Sequence, residues 1–206
     1  VIAGGMPLEK TVSDEWQQLT GNIIVEGYGM TETSPLISVN QMDTKAYNGT
    51  IGSPIPGTDV SLRDDDGKLV PLGEPGEMWV RGPQVMKGYW NRPEETAKAI
   101  DARGFLETGD IAVMDEKGWF KLVDRKKDLI ISKGQNVYPR EIEEAIYKLE
   151  AVEAAAVIGV KDQYADEEII AFIQLKEGMK LEEAEVRNHL RSLLANFKIP
   201  KQVIFQ

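Results

Sequence analysis

This 206-residue chain is organised around Asp124-Arg125-Lys126-Lys127-Asp128, which is followed closely by Ser132-Lys133-Gly134-Gln135-Asn136. This stretch separates two segments whose hydrophobic patterns differ, and each segment has the length and patterning of a folded unit. Taken alone, a charge run of this length is usually a solvated surface turn. We therefore predict a polar connection between two units, with the boundary at this stretch.

The segment before the charged stretch begins in an α/β style. Residues 1–3 are apolar and run into Gly4-Gly5, and residues 23–25 form a second short apolar run suited to a buried parallel strand. A helix between them is predicted by apolar residues at helical spacing, which are Leu8, Val12, Trp16 and Leu19, with Gly21 ending the pattern. Residues 26–35 then form a predicted loop at the end of the second strand, which is where α/β folds place ligands.

Residues 49–124 carry turn signals every few positions and predict a β-rich subdomain. Residues 60–62 and 78–80 are predicted to pair, with a turn at Asp66-Gly67. A brief helix is expected at residues 92–99, and a hairpin is expected around Gly118. Asp110 is placed at the start of a strand, directly after Gly109.

Residues 129–206 have an α+β pattern. Pro139 suits the first turn of a helix whose apolar stripe includes Ile142, Ala145, Ile146 and Leu149. Residues 152–160 and 169–175 are predicted strands, and a second amphipathic helix follows them. His189 lies on the polar side of that helix, so we expect it to be solvated.

The composition limits the chemistry. Cysteine is absent and there is one histidine, which excludes disulfides, thiol nucleophiles and histidine-clustered zinc. The net charge of −10 argues against a nucleic-acid partner. No apolar run reaches the ~18 residues of a spanning helix and no signal peptide is recognisable, so a cytoplasmic protein is expected.

The loop at residues 26–35 combines glycines with Thr31 and Glu32. Glycines let backbone amides approach a phosphate, a threonine hydroxyl can donate to it, and a carboxylate can hold Mg²⁺ against phosphate oxygens. No Walker pattern is present, and a plain structural turn is an equally good interpretation of this loop alone. Asp110 is likewise either a turn cap or an acceptor for ribose hydroxyls, with Arg125 in reach of the same sugar.

Several motifs, read in order, resemble those of adenylate-forming enzymes, and within that superfamily the long-chain fatty acyl-CoA synthetases. The resemblance covers essentially the whole chain. The motifs are Gly4-Gly5-Met6-Pro7-Leu8, Tyr28-Gly29-Met30-Thr31-Glu32, Gly82-Pro83-Gln84-Val85-Met86-Lys87-Gly88-Tyr89-Trp90, Thr108-Gly109-Asp110 and Asp124-Arg125-Lys126-Lys127-Asp128.

The resemblance implies that ATP adenylates a fatty acid with release of pyrophosphate, and that coenzyme A then displaces AMP to give a fatty acyl-CoA. It implies the cofactors Mg²⁺, ATP and coenzyme A. The catalytic residues would be Thr31 at the α-phosphate and Glu32 at Mg²⁺. The nucleotide-binding residues would be Gly4, Gly5, Tyr28, Gly29, Thr31, Asp110 and Arg125. Lys127 would be the hinge, and the residues that bind coenzyme A would be Lys133, Gly134 and Gln135.

The resemblance also implies a domain plan. Residues 1–124 would be the C-terminal part of the large adenylation domain, comprising an α/β piece at 1–48 and a β-rich subdomain at 49–124. Residues 125–128 would be the hinge, and 129–206 a small α+β domain. The family's phosphate loop and its catalytic lysine have no counterpart in these residues. We therefore expect a C-terminal fragment that is inactive alone.

Two alternatives remain open. The chain can belong to an adenylate-forming ligase for another acid, aryl or medium-chain, or it can be a nucleotide-binding or interaction module without turnover. The expected partners are small molecules, namely the acid, ATP and coenzyme A. Peripheral membrane contact of the full-length enzyme and a homodimer are both left open by the sequence.

Overall fold

The computed structural model describes residues 1–161 and 167–206. They form two compact units, Val1–Leu122 and Val123–Gln206, and the chain passes from one to the other within a single strand. The first unit is α/β with a β-rich part, and the second is α+β, as the sequence predicts. No helix in the described residues is long and apolar enough to cross a membrane.

The first unit opens with a small sheet of strands in the order β1-β2-β3-β4. The strands are β1 (Ile2–Ala3), β2 (Val25–Gly29), β3 (Leu36–Val39) and β4 (Ser53–Pro54). Helix α1 (Lys10–Thr20) connects β1 to β2, which lies parallel to it. The predicted strand–helix–strand unit is confirmed, including the end of α1 at Gly21, whose φ is 70°.

Two details of this unit differ from prediction. Strand β2 begins only at Val25 and continues through Gly29, so the first part of the predicted loop is strand. The apolar stripe of α1 is not buried among the described residues: Leu19 is 85% exposed and Val12 is 52% exposed. The buried residue of this helix is Ser13, which lies about 100° around the helix axis from Val12.

The second sheet of this unit has the order β5-β6-β7-β8. Its strands are β5 (Asp59–Arg63), β6 (Gly76–Arg81), β7 (Leu106–Met114) and β8 (Phe120–Arg125), with helix α2 (Pro93–Ala99) between β6 and β7. The predicted pairing of residues 60–62 with 78–80 is confirmed, since Val60 lies opposite Val80. Asp110 lies in the middle of β7 rather than at a strand start. The strand begins earlier because Leu106 and Glu107 already pair with β6.

The second unit contains a hairpin within the stretch that was predicted to be a polar connection. Strands β9 (Ile130–Ser132) and β10 (Gln135–Val137) pair antiparallel, and α3 (Pro139–Ile146) follows. A sheet in the order β11-β12-β13 is built from β11 (Val152–Lys161), β12 (Glu167–Leu175) and β13 (Gln202–Phe205). Helix α4 (Glu183–Leu193) connects β12 to β13.

The core of the second unit confirms both predicted amphipathic helices. Ile142 and Ile146 of α3 and Val186 and Leu190 of α4 are fully buried, together with Ile173 of β12. The core is therefore a two-layer packing of helices on a sheet.

The prediction for His189 is wrong. This residue is half-buried, and its Nε2 lies 3.0 Å from the carbonyl oxygen of Ala145. Helix α3 ends at Ile146, and the carbonyl groups of a last helical turn lack intrahelical partners. Helix α4 therefore uses its polar side to contact the end of its neighbour.

Side chains of α3 cover the outer edge of β11. The backbone N–H of Val157 donates to Glu143 Oε1 at 2.8 Å, and that of Ala155 donates to the Tyr147 hydroxyl at 3.1 Å. Burial raises the pKa of the Glu143 carboxyl, and the nearby charges of Asp124 and Asp128 act in the same direction. Two N–H groups on this strand edge are thus paired with side chains of α3 and of the residue that follows it, instead of with another strand.

Candidate functional site

The carboxyl ends of the parallel strands β1 and β2 meet at one edge of the first sheet. Gly4 follows β1, and a Cβ at this position would lie 2.8 Å from the carbonyl oxygen of Gly27. Gly5 has a φ of 87°, which favours glycine. The two glycines therefore let the chain leave β1 closely against β2, at the edge where open α/β sheets bind ligands.

A tight turn leads from β2 into β3 and presents Thr31 and Glu32. Residues Thr31–Thr33 form a single 3-10 turn, and the Met30 N–H donates to the Pro35 carbonyl oxygen at 2.8 Å. A Cβ at Gly29 would lie 1.7 Å from that same oxygen, so only glycine fits. Thr31 is exposed and Glu32 is half-buried, and both follow the end of β2 directly.

Thr33 closes this turn, a role that the sequence analysis did not assign. Its side chain is fully buried, and its Oγ1 lies 2.7 Å from the Pro35 carbonyl oxygen. The same hydroxyl accepts a hydrogen bond from the Met30 N–H at 3.2 Å. A hydroxyl that both donates and accepts locally is typical of threonine in turns. The buried Thr33 side chain therefore fixes the backbone of the turn that carries Thr31 and Glu32.

A second segment, residues 82–90, holds Glu32 from the side. The Met86 N–H donates to the backbone oxygen of Glu32 at 2.7 Å, and the Tyr89 hydroxyl donates to Glu32 Oε1 at 3.0 Å. Burial raises the pKa of Tyr89, and the hydrogen bond to Glu32 and its charge raise it further. The sequence showed this segment only as a motif, because a contact between such distant residues leaves no local pattern.

Tyr28 and Asp110 come together from different sheets. The buried Tyr28 hydroxyl donates to Asp110 Oδ2. The Asp110 N–H in turn donates to Thr108 Oγ1 at 3.1 Å, and that hydroxyl donates to the Met78 carbonyl oxygen at 2.8 Å. A carboxylate has roughly four acceptor positions, so Asp110 can accept from more than one partner. Two of the predicted nucleotide-binding residues thus form one hydrogen-bonded pair.

Arg125 and Lys127 lie at the start of the second unit, and both are exposed. Arg125 ends β8, and Lys127 is in a 3-10 turn at Lys126–Asp128. Asp124 fastens this segment: its Oδ1 accepts from the Arg125 N–H at 2.7 Å, and its Oδ2 accepts from the Arg140 N–H at 3.0 Å. Arg140 is in the first turn of α3, which has no side-chain cap from its own N-cap residue. Asp124 therefore caps α3 from a distance.

Lys133, Gly134 and Gln135 lie together at the exposed tip of the β9–β10 hairpin. Lys133 and Gly134 have φ values of 51° and 72°, the pattern of a two-residue type I′ turn between Ser132 and Gln135. A Cβ at Gly134 would meet no described residue within 4 Å. Gly134 is thus required for its torsion angles, and not for the close approach of a neighbour in the part of the chain that the structure describes.

Glu32 suits a magnesium ion that is shared with a phosphate. The described residues contain no group of three or more His, Cys, Asp or Glu side chains that could hold a metal ion. Mg²⁺ is usually bound by one or two carboxylates together with substrate phosphates and water rather than by an all-protein cage. A single half-buried carboxylate beside Thr31 fits that mode of binding.

Comparison with known proteins extends these observations. Residues 1–90 match the AMP-binding enzyme family, and residues 141–206 match the AMP-binding enzyme C-terminal domain. The chain is 50% identical over 205 residues to a long-chain-fatty-acid–CoA ligase of Yersinia pestis, covering 100% of this chain and 36% of that protein. It is 41% identical over 206 residues to a feruloyl-CoA synthase of an Amycolatopsis species, covering 100% of this chain and 42% of that protein.

Solved structures agree with these matches. The ATP-bound crystal structure of MatB from Rhodopseudomonas palustris aligns with a TM-score of 0.93 at 40% identity, covering 100% of this chain and 41% of that one. The chain therefore spans roughly two fifths of the length of the proteins it resembles.

Proposed function

The chain belongs to the family of AMP-binding, adenylate-forming enzymes, and from this premise we propose that the complete protein carrying it is a fatty acid–CoA ligase. In the first step, a carboxylate oxygen of the acid bonds to the α-phosphorus of ATP and pyrophosphate leaves. In the second, the sulfur of coenzyme A bonds to the acyl carbon and AMP leaves. A free carboxylate resists nucleophiles because it is anionic, and the adenylate supplies the leaving group.

The roles proposed for the first unit follow its geometry. Gly4, Gly5 and Gly29 shape the backbone at the ends of β1 and β2, and the nucleotide is proposed to bind against these turns. Tyr28 packs beside the adenine, and Asp110, oriented by the Tyr28 hydroxyl, accepts from ribose hydroxyls. The exposed hydroxyl of Thr31 donates to the α-phosphate, where negative charge develops during the reaction. Arg125, in the second unit, is a further proposed nucleotide contact.

Glu32 is proposed to hold Mg²⁺ through its carboxylate. The ion, when bound, neutralises charge on the phosphate oxygens. The role of the protein is to present this carboxylate at a fixed place, which the turn closed by Gly29 and Thr33 achieves.

The observation that carries this proposal is the coincidence of two findings. Gly4-Gly5 and the turn with Thr31 and Glu32 follow the carboxyl ends of the parallel strands β1 and β2, and the same chain is 50% identical to a long-chain-fatty-acid–CoA ligase. Either finding alone would support less. Together they favour acyl adenylation with the nucleotide at this edge.

The test is an acid panel. The complete protein is incubated with ATP, Mg²⁺ and coenzyme A and with acids that differ in chain length and in aromaticity, and the thioesters are identified by mass spectrometry. We expect long-chain acyl-CoA to dominate. The 41% identity to a feruloyl-CoA synthase makes aryl acids the second candidate substrates. A preference for aryl acids in this assay would contradict the fatty acid specificity and retain the ligase reaction. Nucleotide binding without any thioester would favour a binding module without turnover.

Lys127 is the proposed hinge, and Lys133, Gly134 and Gln135 are the proposed contacts with coenzyme A. Lys127 lies near the start of the second unit, in the 3-10 turn Lys126–Asp128. Its side chain is exposed, so a change of its torsion angles between the half-reactions would not require a buried side chain to move. Lys133, Gly134 and Gln135 form the exposed tip of the β9–β10 hairpin, and we propose that they line the passage of the coenzyme A thiol during the second half-reaction.

Lys127→Pro is expected to impair thioester formation about tenfold more than adenylation, because proline fixes φ near −65° and restricts the preceding residue. Pyrophosphate release measures the first half-reaction, and transfer from preformed acyl-adenylate to coenzyme A measures the second. Lys127→Ala, which removes the side chain but leaves the torsion angles free, should affect neither. Equal loss of both half-reactions in Lys127→Pro would contradict the hinge assignment.

A further inference from the structure

Glu32 is connected to the segment 82–90 by two hydrogen bonds of different kinds. The Met86 N–H holds the Glu32 backbone oxygen at 2.7 Å, while the Tyr89 hydroxyl holds the carboxylate oxygen Oε1 at 3.0 Å. The first bond fixes where the residue lies, and the second fixes how its carboxylate is rotated. A structural turn needs only the first, so the second calls for its own explanation.

Tyr89 is itself fixed in place by α2. Its backbone N–H donates to Thr96 Oγ1 at 2.9 Å. The preceding Gly88 has a φ of 150°, and a Cβ there would lie 2.6 Å from Thr96 Cγ2. The segment therefore packs tightly against the first turns of α2. A tyrosine whose backbone is held in this way can orient another side chain with little loss of entropy.

We propose that Tyr89 is a positioning residue for the metal-binding carboxylate of Glu32, donating to Oε1 so that Oε2 is turned toward the magnesium ion of the bound nucleotide. This inference rests on the proposed function, because it takes Glu32 to be a magnesium ligand. It assigns a role to a residue whose motif had none. It also explains why the two segments are connected through a side chain and not only through the backbone.

A phenol is chemically suited to this task. Hydrogen bonds to ligating carboxylates orient them and are a common way in which proteins tune metal sites. A lysine or arginine in the same place would also orient Glu32, but its positive charge would compete with the cation. A tyrosine hydroxyl is uncharged in the neutral range and can donate a hydrogen bond without that competition.

Tyr89→Phe tests the proposal by equilibrium binding of ATP to the complete protein, without acid or coenzyme A, as Mg²⁺ is titrated. Removal of an outer partner of a metal ligand typically weakens metal affinity by about 10–100-fold, so the half-saturating Mg²⁺ concentration should rise by about tenfold or more. Binding of ATP in excess EDTA should not change. Tyr147→Phe is the matched control, since Tyr147 is 43% exposed against 39% for Tyr89 and also carries a hydrogen-bonded hydroxyl.

The other outcomes overturn the proposal in distinguishable ways. An unchanged Mg²⁺ dependence in Tyr89→Phe would show that the hydroxyl does not position Glu32. Equal weakening of ATP binding with and without Mg²⁺ would make Tyr89 a general structural residue. Glu32→Gln distinguishes a failure of the proposed function from a failure of the inference about Tyr89. If Glu32→Gln leaves the Mg²⁺ dependence of ATP binding unchanged, the assignment of Glu32 as a magnesium ligand is wrong. If Glu32→Gln changes this dependence and Tyr89→Phe does not, the metal assignment stands and the inference about Tyr89 is wrong.

Discussion

Glu32→Gln is expected to lower the rate of adenylate formation by about two to three orders of magnitude. A metal ion that neutralises phosphate charge contributes several kcal/mol to the transition state, and each ~1.4 kcal/mol is a factor of ten in rate. Glutamine keeps the shape and the acceptor oxygen that the Tyr89 hydroxyl contacts, but it lacks the negative charge that attracts Mg²⁺. The turn should therefore stay folded while the chemistry is lost.

Acid-dependent release of pyrophosphate at saturating ATP measures this effect, with circular dichroism as the check on folding. Glu94→Gln is the control, because Glu94 is an exposed residue of α2 and its substitution removes the same charge from the chain. It should retain full activity. A loss of several kcal/mol of transition-state stabilisation would lower the rate far more than threefold. If Glu32→Gln therefore forms the adenylate at a rate within about threefold of the unchanged protein, Glu32 is not a catalytic residue.

Gly29→Ala is expected to destabilise the first unit by about 3 kcal/mol and to abolish nucleotide binding. Overpacking a tight site typically costs 1–3 kcal/mol, and here the added methyl carbon would lie 1.7 Å from the carbonyl oxygen of Pro35 and 2.9 Å from the Cα of Leu36. Both are backbone atoms, which cannot rotate away. The turn that presents Thr31 and Glu32 would have to open, breaking the Met30–Pro35 hydrogen bond.

Urea denaturation and ATP binding by calorimetry measure the two effects in the same preparation. Gly27→Ala is the matched control on the same strand, since a Cβ there would meet the side-chain atom Leu36 Cδ1 at 3.3 Å, which can shift. Its cost should be small, and nucleotide binding should persist. If Gly29→Ala binds ATP as tightly as Gly27→Ala, the close approach of this turn is not what shapes the site.

The sequence predicted those elements whose pattern is produced by their own burial. Helix α3 was found because Ile142, Ala145 and Ile146 recur at helical spacing, and the structure buries all three. Hairpin β9–β10 was missed because its residues are mostly polar or exposed and follow a charge run. The predicted strand ended at Val25, before the end of β2 at Gly29, because glycines suggest a loop. In the structure Gly29 lies within the strand, where the absence of a side chain makes room for the backbone of Pro35.

Site residues were predictable only where they stand in a contiguous motif. Glu32 and Tyr28 were singled out because they lie in one short glycine-rich stretch, and Asp110 because it follows Thr108-Gly109. Thr33 was overlooked, although a threonine within a turn is a recognised signal. Tyr89 could not be connected to Glu32, because side-chain contacts between distant segments depend on packing that a single sequence does not reveal.

Helix α3 also bears on the behaviour of this protein at high concentration. An open strand edge is a template on which another chain can add a strand, and such addition leads to polymers and amyloid. On β11 the acceptors from Glu143 and Tyr147 already occupy two N–H groups of that edge. Cross-chain pairing there would have to displace the helix first. Besides contributing Ile142, Ala145 and Ile146 to the core, α3 therefore hinders self-association through β11.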